Sequence, residues 1–313
     1  MIVALAGGVG GARLANGLAA ILPPGELLVA VNTGDDFEHM GLTICPDIDT
    51  VTYTLAGLND EARGWGVRDE TWSFMATVKK LGGPDWFALG DRDLAKHVLR
   101  TERLRRGESL TTITRSFAKA CGIAQGIVPM SDDPVRSIVE TDIGPLAFQD
   151  YFVRLACKPA FRGIRYEGCE SARPSPPLIA ALTDPALQAI VICPSNPVLS
   201  IGPILAVEGI AQALRNRTAP CLAISPFIGG EAVKGPAAKI MRELGIEPGA
   251  AAVAGHYAGL VDAILCDHDD RSAGTIMDGI RLVATDTLMR GNSCQQRLAR
   301  ETLALAASIW STA

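Results

Sequence analysis

Four aspartates, Asp35, Asp36, Asp47 and Asp49, fall within fifteen positions in the stretch NTGDDFEHMGLTICPDIDT. Just upstream, AGGVGGAR places Gly7, Gly8, Gly10 and Gly11 directly before Arg13. Glycines between an apolar run and a helical pattern let backbone N–H groups approach a phosphate at a helix N-terminus, and Arg13 adds positive charge beside that anion. Carboxylates next to such a loop would repel a phosphate ligand unless a divalent cation lies between them. The pairing therefore points to Mg²⁺, which takes carboxylate and phosphate oxygens together and stabilises the charge of a transferring phosphoryl group. A plainer role is open for Asp49, which stands before TVTYTLAG and is placed to cap a helix there.

The glycine cluster does not choose its nucleotide alone. Gly8 and Gly10 are in phase with the dinucleotide fingerprint G-x-G-x-x-G, and Asp35 or Asp36 stands where a ribose-binding acid would be. The third glycine position is Arg13, however, and no Gly-Lys-Ser/Thr follows to make a Walker loop. A second group of donors, Ser195, Asn196, Ser200 and Gly202, sits in PSNPVLSIGP after the apolar run AIVICP. It is either the far side of a ligand crevice or an ordinary Asn-Pro turn. LGDRD offers Asp91 as a cap and Arg92 as a solvated or site-directed cation, and PMSDD breaks an apolar run into Met130, Ser131 and two carboxylates. The histidines have no metal-ligand spacing; His39, inside the acidic loop, has the best claim among them. No G-x-S-x-G elbow and no paired cysteine motif occur, so covalent catalysis, a zinc site and a disulfide framework are not signalled.

These groups need a frame. MIVALA, LLVAVN, LQAIVIC, PCLAIS, VDAILC and IRLVAT read as apolar strands alternating with helices. That is the pattern of a parallel sheet covered on both faces. The expected architecture is α/β: a single Rossmann-like domain over 1–313, mostly parallel, with helices on both faces. A mainly helical insertion is expected at about 55–122 and a β-hairpin insertion at about 127–168. The first helix is expected over about 12–22. Open α/β sheets bind ligands at the carboxyl ends of their strands, where the glycine loop, the acidic stretch and PSNPVLSIGP all fall.

Composition limits the function classes. The 313 residues are 48% hydrophobic and 20% charged, with 34 acidic against 29 basic residues and a net charge of −5. No basic run is present to track nucleic acid. No stretch approaches the roughly 18 apolar residues of a membrane helix, and the first residues lack the basic region of a signal peptide. The expectation is a cytoplasmic protein, with no nucleic-acid or membrane partner and with small-molecule substrates.

Taken together, LAGGVGGARL, VNTGDDFEHMGLTICPDIDTVTYTLAG, FALGDRDLA, VPMSDDPVRS and CPSNPVLSIGPIL resemble one family in order and over nearly the whole chain: the 2-phospho-L-lactate transferases, the CofD-type enzymes of deazaflavin coenzyme F(420) biosynthesis. The resemblance implies a Rossmann-like fold, commonly as a homodimer. It also implies Mg²⁺-dependent transfer of a phospholactyl-type group from a guanosine diphosphate-linked donor. The acceptor is the ribityl hydroxyl of 7,8-didemethyl-8-hydroxy-5-deazariboflavin (Fo), and GMP is released. Relatives differ in whether the donor carries lactyl, enolpyruvyl or glyceryl.

The family's deazaflavin-contacting aspartate matches Asp49, and its basic contact matches Arg92. Thr50, Met130 and Ser131 fall beside them as further acceptor contacts. Gly8, Gly10, Gly11 and Arg13, with Ser195, Asn196, Ser200 and Gly202, are then the donor-binding set. Asp49 and Asp36 become catalytic candidates, and Asp49 with Asp47 the metal candidates. A sugar-nucleotide-binding regulator on the same core is the main rival, and an NAD-dependent oxidoreductase the second.

Overall fold

In a computed structural model, which describes residues 1–310, seven parallel strands form the body of an eight-stranded sheet. In spatial order they are Ile280–Ala284, Ala263–Cys266, Cys221–Ile224, Ala189–Ile192, Ile2–Ala6, Leu27–Val31 and Gly126–Pro129. The short strand Ile276–Met277 adds antiparallel to Ile280–Ala284 at one edge. Every residue of Ile2–Ala6 and Leu27–Val31 is buried, as a sheet packed on both faces requires. Along the first strand the side chains alternate between two cores. Val3 and Leu5 join one, and Ile2, Ala4 and Ala6 join the other with helices Gly8–Ile21 and Asn292–Trp310.

Strand order fixes where a crevice opens. From Ile2–Ala6 the chain crosses to Leu27–Val31 on one side, while Ala189–Ile192 pairs on the other. Loops leaving the carboxyl ends of these strands diverge there, leaving room for a ligand.

The first helix starts earlier than its apolar pattern, at Gly8, so the glycines form its first turn. Gly8 holds φ at +62°, a conformation that favours glycine. At Gly10 an added Cβ would overlap the Pro194 carbonyl oxygen, and at Gly11 it would lie 2.5 Å from Ser195 Oγ. The glycines thus bring this helix start against the loop that follows Ala189–Ile192.

The acidic stretch is more ordered than a polar loop. It contains a hairpin, Phe37–His39 with Leu42–Ile44, and then helix Pro46–Leu55. Helices Ser73–Lys80, Asp91–Arg105 and Leu110–Ala120 occupy the helical region. Gly126–Pro129 belongs to the main sheet, pairing with Leu27–Val31. The added β-structure therefore begins after it, as a three-stranded antiparallel sheet of Arg136–Thr141, Gly144–Ala147 and Phe161–Glu167. All eight cysteines are free. No described helix is long and apolar enough to cross a membrane.

Candidate active site

A cavity of about 780 Å³ opens at the carboxyl ends of the central strands. Its floor is the start of the first helix, where Gly7, Gly8, Val9 and Gly10 line the space with Arg13. Ser195 fastens this turn: its hydroxyl accepts from Gly7 N (3.1 Å) and donates to Gly7 O (2.7 Å). Ser195 therefore holds the loop's shape, and its hydroxyl is already engaged. Asn196 beside it uses Oδ1 to accept from Val198 N and Leu199 N, capping the turn Pro197–Ile201. Its buried Nδ2 has no partner and belongs to a residue lining the cavity, so it is a ready ligand donor. Arg13 donates to the Met289 carbonyl at 3.3 Å while lining the same space.

Across the cavity, helix Pro46–Leu55 presents Asp49 and Tyr53 to a polar face of helix Asp91–Arg105. Asp93, Lys96, His97 and Arg100 recur there at i, i+3, i+4 and i+7, which puts them on one side of a helix. Asp49 Oδ1 pairs with Lys96 Nζ at 2.7 Å and with the Arg100 guanidinium. Burial alone would raise Asp49, but Arg100 and Lys96 outweigh it and hold its carboxyl well below the usual carboxylate range. Its Oδ2 has no hydrogen-bond partner.

His97 Nδ1 faces Arg100 Nη1 at 3.3 Å, and arginine can only donate. Nδ1 therefore accepts, leaving the ring hydrogen on Nε2, 3.3 Å from Asp93 Oδ1. The Tyr53 hydroxyl donates to the same Asp93 oxygen. Asp49, Asp93 and His97 each bring a potential ligand atom within 4.8 Å of the others.

The remaining aspartates behave in the opposite way. Burial raises Asp36 to about 7 despite a hydrogen bond with Cys45, and raises Asp47 to about 6 despite hydrogen bonds from Asn32 and Gly8. Burial and the nearby Asp47 push Asp35 well above the usual range. Asp47 Oδ2 is fixed by Asn32 Nδ2 at 3.0 Å and reaches the glycine turn, where a Cβ on Gly7 would lie 2.8 Å from it. Asp35 and Asp47 line the cavity, and Asp35 Oδ1 lacks a donor. Two carboxylates with raised pKa beside a helix N-terminus form a set that a hard cation would neutralise.

The walls are aromatic. Trp86 and Phe87 line the cavity and pack with Phe37 and His39, Phe37 and Phe87 edge to face at 4.8 Å. Trp65 lines it from the segment before helix Ser73–Lys80, with the Arg63 guanidinium 5.2 Å above its ring. On the far side, Phe148 and Phe152 stack at 5.4 Å.

Of the residues singled out by sequence, Gly8, Gly10, Arg13, Asp47, Asp49, Thr50, Ser195, Asn196 and Ser200 line this one cavity. Six others do not. Arg92 is exposed and directs Nη1 to the Arg68 carbonyl at 3.3 Å. Met130 is buried in the core, and the Ser131 hydroxyl donates to the Arg173 carbonyl at 2.6 Å. Gly11 and Gly202 are packing positions, tight against Ser195 and Tyr166 respectively. Asp36 is buried behind the site, bonded to Cys45.

Two capping expectations also shift. Cys45, not Asp49, is the N-cap of Pro46–Leu55, and Asp91 accepts from Ser73 N and Phe74 N to cap the neighbouring helix. His39 is held in the aromatic cluster, so the cavity histidine is His97. Lys96 and Arg100 carry no motif signal, and His97 reads as a structural histidine from sequence, although the three share one helical face in DLAKHVLR.

Comparison with known proteins bears on this arrangement. A family model described as 2-phospho-L-lactate transferase CofD matches residues 2–298. A protein of Kitasatospora aureofaciens named phosphoenolpyruvate transferase is 43% identical, covering 98% of each chain. A 2-phospho-L-lactate transferase of Methanopyrus kandleri is 39% identical over 96% of each. The crystal structure of protein BH3568 from Bacillus halodurans superimposes with a TM-score of 0.62 at 16% identity, over 97% of this chain and 98% of that one, and so shares the fold. With the family model matched from residue 2 to residue 298 and relatives of this identity aligned end to end, the chain belongs to the CofD family of 2-phospho-L-lactate transferases.

Proposed function

We propose that this chain transfers a phospholactyl-type group from a guanosine diphosphate-linked donor to the ribityl hydroxyl of Fo, releasing GMP. The observation that carries this reading is the opposition of two charge environments across one cavity. The helix start at Gly8–Gly10 with Arg13 is suited to a diphosphate, and Asp49, lining the same cavity, is held ionised by Lys96 and Arg100 and keeps one buried oxygen without a hydrogen-bond donor. The names of the relatives, phosphoenolpyruvate transferase and 2-phospho-L-lactate transferase, support a three-carbon acid phosphate as the transferred group.

In this reading the acceptor hydroxyl oxygen attacks the phosphorus that bears the three-carbon acid. A phosphodiester bond forms, the P–O bond to the GMP phosphate breaks, and the hydroxyl proton is released. Asp49 is held ionised by Lys96 and Arg100, so it is too weak a base to remove that proton early. Its role is to accept the hydroxyl's hydrogen bond at Oδ2 and aim the oxygen. Backbone N–H groups at Gly8–Gly10, Asn196 Nδ2 and Arg13 bind the diphosphate and take up charge on the departing phosphate. The aromatic walls exclude water and fit a planar ring system.

The residues present fit Mg²⁺. Asp47 and Asp35 would hold it beside the glycine turn, where an unpartnered Asp35 oxygen and two raised carboxyl groups await a cation. When bound there the ion supplies charge neutralisation to the phosphate oxygens. Asp49 is less suited than the sequence suggests, because Lys96 and Arg100 already balance its charge.

The test is direct. Incubating the chain with Fo, Mg²⁺ and, separately, the lactyl, enolpyruvyl and glyceryl guanosine diphosphate donors should give GMP and one new phosphodiester identifiable by mass. No product from any donor would remove the reading.

A further inference from the structure

Three lysine or arginine side chains line the cavity: Arg13, Arg63 and Lys234. Arg13 donates to the Met289 carbonyl, and the Arg63 guanidinium lies 4.6 Å from the Trp72 ring centroid. Lys234 alone of the three has no recorded protein partner among the described residues, although its neighbour in the same arm, Glu231, is paired with Arg242. The arm is a hairpin of Phe227–Ile228 and Glu231–Ala232, turned at Gly229 and Gly230, both at positive φ. Arg242 on the following helix, Ala237–Glu243, also donates to Gly230 O at 3.2 Å, which anchors the turn. Lys234 therefore extends from a braced arm, just before Gly235 at φ +77° and Pro236.

Its direction is fixed by what it meets. A Cβ added to Gly64 would overlap Lys234 Nζ, so the ammonium group lies against the 60–66 segment on the opposite rim. That segment lies over the first-helix turn, since Gly64, Trp65 and Gly66 share a small recess with Val9 and Arg13. An unneutralised ammonium is thereby carried to the same end of the cavity as the helix N-terminus and Arg13.

We propose that Lys234 binds a phosphate oxygen of the donor, gripping the diphosphate from the side opposite the Gly8–Gly10 amides. This rests on the diphosphate position given under the proposed function and adds a residue from a distant part of the chain. A lysine is suited to this as a compact point charge on a flexible stem. Gly64 then serves to leave room for that side chain.

The experiment is calorimetric titration of the full chain, with Mg²⁺, by inorganic pyrophosphate and by guanosine diphosphate. Wild type, Lys234→Met and Lys234→Arg are compared, and each variant's thermal unfolding is recorded without ligand. Lys234→Met should weaken both ligands by about tenfold to a hundredfold with its unfolding midpoint unchanged, and Lys234→Arg should recover most of the loss. Pyrophosphate affinity of Lys234→Met within about twofold of wild type, or no pyrophosphate binding by the wild type, overturns the assignment. Wild type that binds pyrophosphate but not guanosine diphosphate overturns the nucleotide donor instead, and the pyrophosphate comparison still decides Lys234.

Discussion

Arg100 and Asp49 form an ion pair sealed inside the protein, with Arg100 1% and Asp49 4% exposed. Arg100 comes from helix Asp91–Arg105 of the helical region and Asp49 from helix Pro46–Leu55, which follows strand Leu27–Val31 and its hairpin, so this pair joins the insertion to the Rossmann-like frame. It also leaves the second oxygen of Asp49, a residue lining the cavity, without a hydrogen-bond partner. The same contact thus locks two parts of the fold and prepares an acceptor for a substrate hydroxyl.

Removing the carboxylate separates those roles. Asp49→Asn leaves Arg100 and Lys96 buried without a counter-charge and should lower stability by about 3 kcal/mol in urea unfolding. Assayed at a temperature where circular dichroism shows the variant folded, it should also lose transfer activity by far more than the residual unfolding explains. Turnover within a few-fold of wild type would take Asp49 out of the reaction.

Gly10 makes a different demand. A methyl group there meets the Pro194 carbonyl oxygen, and backbone cannot rotate away as a side chain can. Gly10→Ala should therefore cost about 1–3 kcal/mol and displace the amides that face the diphosphate. Gly255→Ala is the matched control. It lies in helix Ala250–His256 with nothing within 4 Å of an added Cβ, and should stabilise the protein by about 0.5–1 kcal/mol. Equal effects from the two substitutions would contradict the close approach.

What the sequence made legible was what local chemistry dictates. Gly8, Gly10 and Asp47 were readable because a glycine turn and an acidic loop at strand ends need little context. Arg92, which does not line the cavity, is instructive. Consecutive helical residues point about 100° apart, so Arg92 lies off the face that carries Asp93, Lys96, His97 and Arg100. That face was written in the spacing of DLAKHVLR, yet its meaning depended on meeting Asp49 and Tyr53 of another helix, a tertiary fact no single segment holds. Ser131 shows the same limit, since its hydroxyl is engaged by Arg173, distant in sequence. Lys234 has no periodic signal at all and gains significance only from the arm that carries it.

Asp36 gives a prediction about pH. Its folded pKa, pushed up to about 7 mainly by burial, lies above the ordinary 3.8, so the folded state holds the proton more tightly than the unfolded chain. Between pH 4 and 7 the native state binds more protons, and stability must fall as pH rises through that window. With Mg²⁺ chelated, Asp36→Asn should remove roughly 2–3 kcal/mol of the loss seen between pH 5 and pH 8 in urea unfolding. Asp49, with its folded pKa depressed, acts in the opposite sense and at lower pH, so it does not mask the effect. A pH slope unchanged by Asp36→Asn would mean that its carboxyl is not the one titrating.

Asn196 allows a structural role and a binding role to be divided within one side chain. Oδ1 caps the turn at Val198 and Leu199, and Nδ2 is the free donor of a cavity-lining residue. Asn196→Asp keeps an oxygen acceptor for both backbone amides, so its stability should stay within about 0.5 kcal/mol of wild type. It replaces the donor with negative charge, and guanosine diphosphate affinity should drop by at least about tenfold. Asn196→Ala loses the cap as well, and should be destabilised by about 1 kcal/mol while losing the same donor. Calorimetric titration beside urea unfolding reads both quantities. If Asn196→Asp binds guanosine diphosphate as wild type does, Nδ2 does not face the phosphates. If it unfolds as readily as Asn196→Ala, the cap does not hold the turn.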